Sequence, residues 1–364
     1  MNTAPPAGLV LRELRIPDDT TAPEARDFRA MVDVRNRVYR EINGHDDESM
    51  TSEELLPHYA PSAFELRRVW TAAWNGSIVG RVGLDLPLEE GSNSAMWLIE
   101  LLREAWGQGI GSASLAMIER EAATQGRHIL QSWAAHPAAT GEQLDAPTGF
   151  GRVPLDHAAR FYLAHGYRLE QVERNSALAL DGDLTRIRQL LAEAERAAEG
   201  YRVVQWTLPT PPAFAEQYAW MKSRMSTDAP SADLEMDEER WDAARIAEHD
   251  GRYLRGGQHM LVTAAQHRAT GKLCAFNELV IGRNRAEATH QEDTLVLREH
   301  RGHRLGLLVK CAGLLAWREH APMSPRVLTY NAEENRPMLD INEAMGFVPI
   351  AYGGAWKKVL PRSA

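Results

Sequence analysis

Cysteine is nearly absent from this chain: Cys274 and Cys311 are the two in 364 residues, and both sit in apolar patterns. A disulfide framework is thereby excluded as an organising principle, and a reducing, cytoplasmic setting is the simpler expectation. There is no run of about 18 apolar residues. The opening Met1–Gly8 has neither a basic n-region nor an apolar h-region, so neither a secreted nor a membrane-spanning protein is expected. Metal-ligand spacing is also missing. The 13 histidines form no His-Glu-x-x-His or Cys/His cluster, and His157, His165, His300 and His303 read as surface or helix-end residues, so no metal is expected. With 41 basic against 50 acidic side chains, a formal charge of -9 and no lysine or arginine run, the footprint of a nucleic-acid binder is lacking.

What is present suits a globular protein of two domains, 44% hydrophobic and 25% charged. Period-2 and period-3.6 patterns give a strand over 9–16, a helix over 23–40 and a short helix after Ser52 with Glu53 and Glu54 in its first turn. Strands over 67–73 and 78–86 flank Asn75-Gly76, a strong hairpin signal. A strand over 95–102 runs into a glycine-rich turn and a helix from about Gly109 to Thr124, followed by a strand over 129–133. The Pro/Gly/Thr-rich stretch 135–155 reads as a long loop. Asp156 then caps a helix ending at Gly166, and closing strands follow over 167–179.

A second copy of this order begins at Tyr201, after a charged helix over 183–199. Its strands fall at 201–207, 260–267, 272–281, 288–297, 326–330 and 347–358, and its helices at 211–225, 238–253, 305–319 and 335–344. Gly107 and Gly111 match Gly302 and Gly306 at one common offset, which points to two degenerate copies of one domain. The expected boundaries are 1–181, a linker helix over 182–199, and 200–364.

In each copy the glycine turn sits between a strand and a long helix, so the amides of the turn and of the first helical turn converge on one point. Unpaired N–H groups and the positive helix end favour an anion such as a phosphate there, and glycine lets it approach the backbone.

The strand, the Gly-x-Gly turn with its helix, the following strand and a second helix ending in Gly-Tyr or Gly-Phe resemble the GNAT superfamily of acyl-coenzyme A transferases. The residues that carry the likeness are Trp106-Gly107-Gln108-Gly109-Ile110-Gly111 with Phe161–Tyr167 in the first half, and Arg301-Gly302-His303-Arg304-Leu305-Gly306 with Asn342–Phe347 in the second. The resemblance covers nearly the whole chain. It implies an α/β (α+β) protein of two tandem GNAT-like domains, each a mixed, mostly antiparallel sheet flanked by helices, similar in layout to mycothiol synthase-type proteins.

By resemblance, the turn amides, with Leu102 and Ser112 at its ends, hold the pyrophosphate of acetyl-CoA or another acyl-CoA, and a splayed strand pair holds the pantetheine arm. A backbone amide near Leu101, or Val296 in the second half, polarises the thioester carbonyl for direct attack by an amine. Tyr162 stands where many members keep the tyrosine that protonates the departing thiolate, although the asparagine often found seven residues earlier is Leu155. Trp106 occupies a position usually held by arginine or glutamine. The second half keeps Arg301 and Asn335, but Arg304 replaces the middle glycine and Asn342 the tyrosine. Arg304 either adds charge to a phosphate site or blocks it by bulk. The first half is therefore the better catalytic candidate.

Plainer readings stand beside these. Tyr162 would serve equally as a core aromatic, and Glu100 as a solvated strand carboxylate rather than a base; Glu278 is its second-half counterpart. Trp97, Trp106 and Trp133 either wall an acceptor pocket or pack as core. The expected function is acyl-CoA-dependent N-acylation, most simply N-acetylation, of a small-molecule amine by a monomer or homodimer. The alternative is a tandem protein that binds acyl-CoA without turning it over.

Overall fold

The computed structural model describes residues 5–137 and 141–361, and the chain divides into two compact units. The first comprises Met1–Val172, Ser231–Asp237 and Ala351–Ala364; the second comprises Glu173–Pro230 and Glu238–Ile350. Neither unit is continuous in sequence. The expected boundaries at 181 and 200 therefore differ from the observed division, in which the first unit takes a strand from the end of the chain and the expected linker helix belongs to the second unit.

In the first unit, β1 (Leu9–Glu13) leads to α1 (Arg26–Asn43) and α2 (Ser52–Leu55), then to β2 (Glu65–Trp74), β3 (Ser77–Pro87) and β4 (Ser94–Leu101). Helix α1 buries Phe28, Met31, Val32, Val34 and Val38 along one stripe and stops at Gly44, whose φ of 76° permits the left-handed cap. Helix α2 is held by a capping box. The Glu54 amide donates to Thr51 Oγ1 at 3.2 Å, and the Thr51 amide donates to Glu54 Oε2 at 2.8 Å. The β2–β3 turn has Asn75 at φ 51° and Gly76 at φ 87°, which matches the handedness of a twisted hairpin.

Helix α3 (Ile110–Thr124) crosses to β5 (Ile129–His136), and the expected loop 135–155 contains a small hairpin of β6 (Gln143–Asp145) and β7 (Arg152–Pro154). Residues 138–140 of that stretch lie outside the described residues. Helix α4 (His157–Ala164) is capped by Asp156 Oδ1, which accepts from the Ala159 amide at 2.9 Å. β8 (Arg168–Ala179) is one long strand whose first five residues stay in the first unit.

The second unit continues with α5 (Thr185–Ala197), β9 (Tyr201–Thr207), α6 (Pro212–Asp228), α7 (Ala243–Gly256), β10 (His259–His267), β11 (Leu273–Ile281) and β12 (Thr289–Val296). It then runs through α8 (Leu305–His320), β13 (Arg326–Ala332) and α9 (Arg336–Met345) to the start of β14 (Val348–Val359). Helix α7 begins later than the expected 238, because Asp242 caps it by accepting from the Arg245 amide at 2.8 Å. The sheet order is β8-β13-β12-β11-β10-β9, antiparallel except for β12 with β13.

The first unit's sheet runs β1-β2-β3-β4-β5 and is extended by the far end of β14, where Tyr352–Val359 pairs antiparallel with Ile129–His136. Trp356 on that strand is fully buried in the same core as Trp97, Tyr162 and Leu84. Ser231–Asp237 also belongs here: Gln131 and Glu235 exchange two hydrogen bonds of 2.9 and 2.7 Å, and Lys357 pairs with Asp233 at 2.6 Å. Among the described residues, no helix is long and apolar enough to cross a membrane.

Candidate active site

β4 and β5 are the key to the site. They pair in parallel only from Ser94 with Ile129 to Met96 with Gln131, and then separate. Amides along a strand point alternately to its two sides. The Leu102 amide donates to Val79 O at 3.0 Å on the β3 side, so the Leu101 amide faces the gap. The second unit repeats this geometry. β12 and β13 pair only over Thr289–Gln291 with Val327–Thr329, and the Leu297 amide donates to Cys274 O at 3.0 Å, which turns the Val296 amide into the equivalent gap.

The turn after β4 is built on left-handed backbone, with Gly107 at φ 71° and Gly109 at φ 79°. Gly111 packs against α4, where an added Cβ would lie 3.1 Å from Phe161 Cε2. Helix α3 has no side-chain cap and no acid in its first turn. Its leading amides, at Ile110, Gly111 and Ser112, thus keep the orphan donors that an anion needs, and the residues present fit a phosphate-bearing cofactor. Gln108 lies exposed on the turn, and the Ser112 hydroxyl lies 3.0 Å from His165 Nε2. Trp106 has a different job from a phosphate contact: its indole N–H donates to Leu101 O at 3.0 Å while its ring stacks on His157 with centroids 4.3 Å apart.

These elements enclose a cavity of about 620 Å³, lined among others by Glu100, Leu101, Trp106, Gly109, Ser112 and Tyr162. Trp97 and Trp133 also line it, so all three tryptophans singled out from the sequence reach this space. Tyr162 is buried between Trp97 and Trp356, stacked on the latter with ring centroids 4.7 Å apart and planes within 4°. Its hydroxyl lies 2.7 Å from Ser132 Oγ. Burial pushes the Tyr162 phenol well above its ordinary range, with the Ser132 hydrogen bond acting the other way. The side chain is therefore a core aromatic that also lines the cavity.

Glu100 is not a freely solvated carboxylate. Arg81 holds both of its oxygens, with Nε to Oε2 at 2.7 Å, and the pair is largely buried. Arg81 also donates to the Tyr59 hydroxyl at 2.7 Å. The Glu100 carboxylate and burial together raise the Tyr39 phenol above its usual range. Arg81, Tyr59 and Ser132 escaped the sequence reading because each is defined by a partner far away in the chain. Trp356 escaped it because its strand was assigned to the second domain.

The second-half turn repeats the backbone with different side chains. Gly302 has φ 88° and Arg304 φ 54°, so arginine adopts the left-handed conformation that Gly109 adopts in the first copy. The Arg304 guanidinium pairs with Glu193 of α5 at 2.9 Å. Arg301 Nε donates to Val296 O at 3.2 Å, the counterpart of the Trp106 bond, and its guanidinium also reaches Asp228 at 3.7 Å. His303 packs its ring on Tyr201, Leu305 is buried, and Gly306 would bring a Cβ within 3.0 Å of Ile341 Cδ1. Asn335 precedes α9 without a capping side-chain bond.

At the tyrosine position, Asn342 accepts from Lys310 Nζ at 2.7 Å and donates to Asn331 Oδ1 at 2.7 Å. Burial lowers Lys310 to about 7. Glu278 is fully buried, bonded to the Tyr218 hydroxyl and to Lys222, which also reaches Asp293 at 2.6 Å. Among the described residues, no group of three or more His, Cys, Asp or Glu side chains is placed to hold a metal ion.

Residues 30–141 match the acetyltransferase (GNAT) family model. No curated protein matches the chain. Among solved structures, the chain is similar to a tandem GNAT protein from the clavulanic acid biosynthesis pathway, without AcCoA. That likeness has a TM-score of 0.73 at 23% identity and covers 98% of this chain and 100% of the other. It is also similar to a GCN5-related N-acetyltransferase from Sphaerobacter thermophilus, with a TM-score of 0.62 at 15% identity, over 98% and 97% of the two chains. At these identities the likeness concerns the fold. Residues 30–141 thus match the acetyltransferase (GNAT) family, and the fold of a tandem GNAT protein is shared along nearly the whole chain.

Proposed function

We propose that this protein is an acyl-CoA-dependent N-acyltransferase, most simply an N-acetyltransferase, that acts on an amine of a small molecule and carries its chemistry in the first unit. One observation bears most of the weight: a single cavity is lined by the Gly107–Ser112 turn, by Leu101 and by Tyr162. Amides at 110–112 suit the pyrophosphate, and the gap beyond Met96 suits the pantetheine arm. The cofactor supplies the activated acyl group.

In this reading the Leu101 amide donates to the thioester oxygen and stabilises charge as it develops there. The amine nitrogen forms the new bond to the acyl carbon, the carbon–sulfur bond breaks, one proton leaves nitrogen and one goes to sulfur. Tyr162, a phenol that is protonated at neutral pH and that burial shifts further up, is the donor to the thiolate, with Ser132 orienting its hydroxyl. Glu100 receives the amine proton directly or through water. The second unit is a poorer site, since asparagine holds the tyrosine position and is itself bonded to Lys310 and Asn331.

The test is isothermal titration of acetyl-CoA into the wild type and into folded Gly109→Trp and Gly302→Trp variants. Binding lost only in Gly109→Trp is expected. Loss only in Gly302→Trp would move the site to the second unit, and no binding to the wild type would sink the acyltransferase reading. A tandem protein that binds without turnover is the second reading, favoured by the side-chain changes at Arg304 and Asn342; it predicts binding with no release of coenzyme A.

A further inference from the structure

A second cavity, of about 260 Å³, shares Gly83, Asp85 and Leu98 of its wall with the first. Three arginines line it: Arg35, Arg67 and Arg81. Two are already neutralised. Arg67 bonds Asp85 at 2.9 Å and Glu65 at 3.0 Å, and Arg81 is held by Glu100.

Arg35 is different. It is 8% exposed, and its guanidinium lies over the Tyr39 ring at 4.5 Å. Its Nη1 donates to the Glu48 carbonyl and to Asn36 Oδ1, at 2.5 and 3.0 Å. These are neutral acceptors, and among the described residues Arg35 has no carboxylate partner. Both of these bonds use Nη1, and the side chain lines the cavity. A guanidinium buried without a counter-charge is unfavourable, whereas a ligand oxyanion would meet it with charge-assisted bonds.

We infer that the acceptor is a small amine bearing an oxyanion, a carboxylate or a phosphate, which Arg35 binds in this second cavity. The inference rests on the N-acyltransferase reading of the adjoining cavity. Such an acceptor spans the shared wall with its charged end at Arg35 and its nitrogen toward the thioester.

The test titrates the protein, saturated with coenzyme A, with amino acids of two to six carbons and with aminoalkyl phosphates. Each is matched against its amide or alcohol. Roughly tenfold or greater preference for an anionic amine over its neutral partner is expected in the wild type. Which anionic series binds tells carboxylate from phosphate. The preference should vanish in Arg35→Gln and partly survive in Arg35→Lys, while coenzyme A binds all three forms equally. Equal binding of neutral and anionic partners, or no binding by any of them, overturns the inference, and the wild-type comparison needs no variant to fold. The acyltransferase reading is judged separately: wild-type protein that acetylates a neutral amine keeps that reading and loses this one. Failure to bind coenzyme A removes both.

Discussion

The proposed reaction concentrates its acid chemistry in one oxygen, the Tyr162 hydroxyl. Tyr162→Phe keeps the stacking on Trp356 and Trp97 and removes only the proton donor. The expected result is a fall in kcat of about 10²- to 10⁴-fold, typical of a lost general acid, with the Kd for acetyl-CoA unchanged; steady-state rates beside a titration check both. A fall in affinity with kcat intact would assign the residue to packing alone. Lys310 offers a test by pH. Burial lowers its ammonium from 10.5 to about 7, so between those values the unfolded chain binds more protons than the folded one. Stability then rises with pH across that window. Lys310→Met should abolish this part of the slope in urea titrations at pH 7 and 10; an unchanged slope would acquit the lysine. That Tyr162, Leu101 and the turn glycines would line one space was legible because local spacing defines them. Arg35, Arg81 and Ser132 were not, since their contacts are with Glu48, Glu100 and Tyr162, which only the folded chain brings near.

Elements show how two copies of one motif drift. The bond from residue 106 or 301 back to the last strand carbonyl survives as indole in one copy and guanidinium in the other. What persists is the donor at that position rather than the residue type. The left-handed backbone survives as well, with glycine at 109 and arginine at 304. A non-glycine residue there costs about 1–2 kcal/mol, while an exposed ion pair such as Arg304–Glu193 returns about 0–1 kcal/mol. Arg304→Gly is therefore expected to leave stability unchanged or raise it by up to roughly 1 kcal/mol, as read from thermal unfolding. A clear loss would mean that the Glu193 pair matters more than the backbone. The capping box of α2 gives a contrasting case: Thr51→Ala should destabilise by about 0.5–2 kcal/mol in the same assay. Helices, hairpins and glycine turns were readable because caps and turn residues act locally. The β6–β7 hairpin hid in a stretch whose proline and glycine content reads as loop.

At the scale of the whole molecule, sequence reading found the fold and drew boundaries that differ from the two compact units. Its criterion was order along the chain, whereas strand pairing follows the register of Tyr352–Val359 on Ile129–His136. A chain ending at Ile350 would leave β5 without that neighbour and remove Trp356 from the core around Tyr162. It should lose acetyl-CoA binding and show an early unfolding step by circular dichroism, and a fragment of residues 1–181 should fail to fold for the same reason. Full binding by either would show that the closing strand is dispensable.

The discontinuous first unit also bears on how the protein is made. A ribosome delivers the cofactor turn early, yet the strand that completes the surrounding core emerges some 240 residues later, at Ala351–Val359. The proposed catalytic unit therefore cannot mature while the chain is being synthesised, and the second unit has every residue it needs before the first does. A premature stop upstream of that strand is expected to leave β5 without its partner and the core around Tyr162 without Trp356.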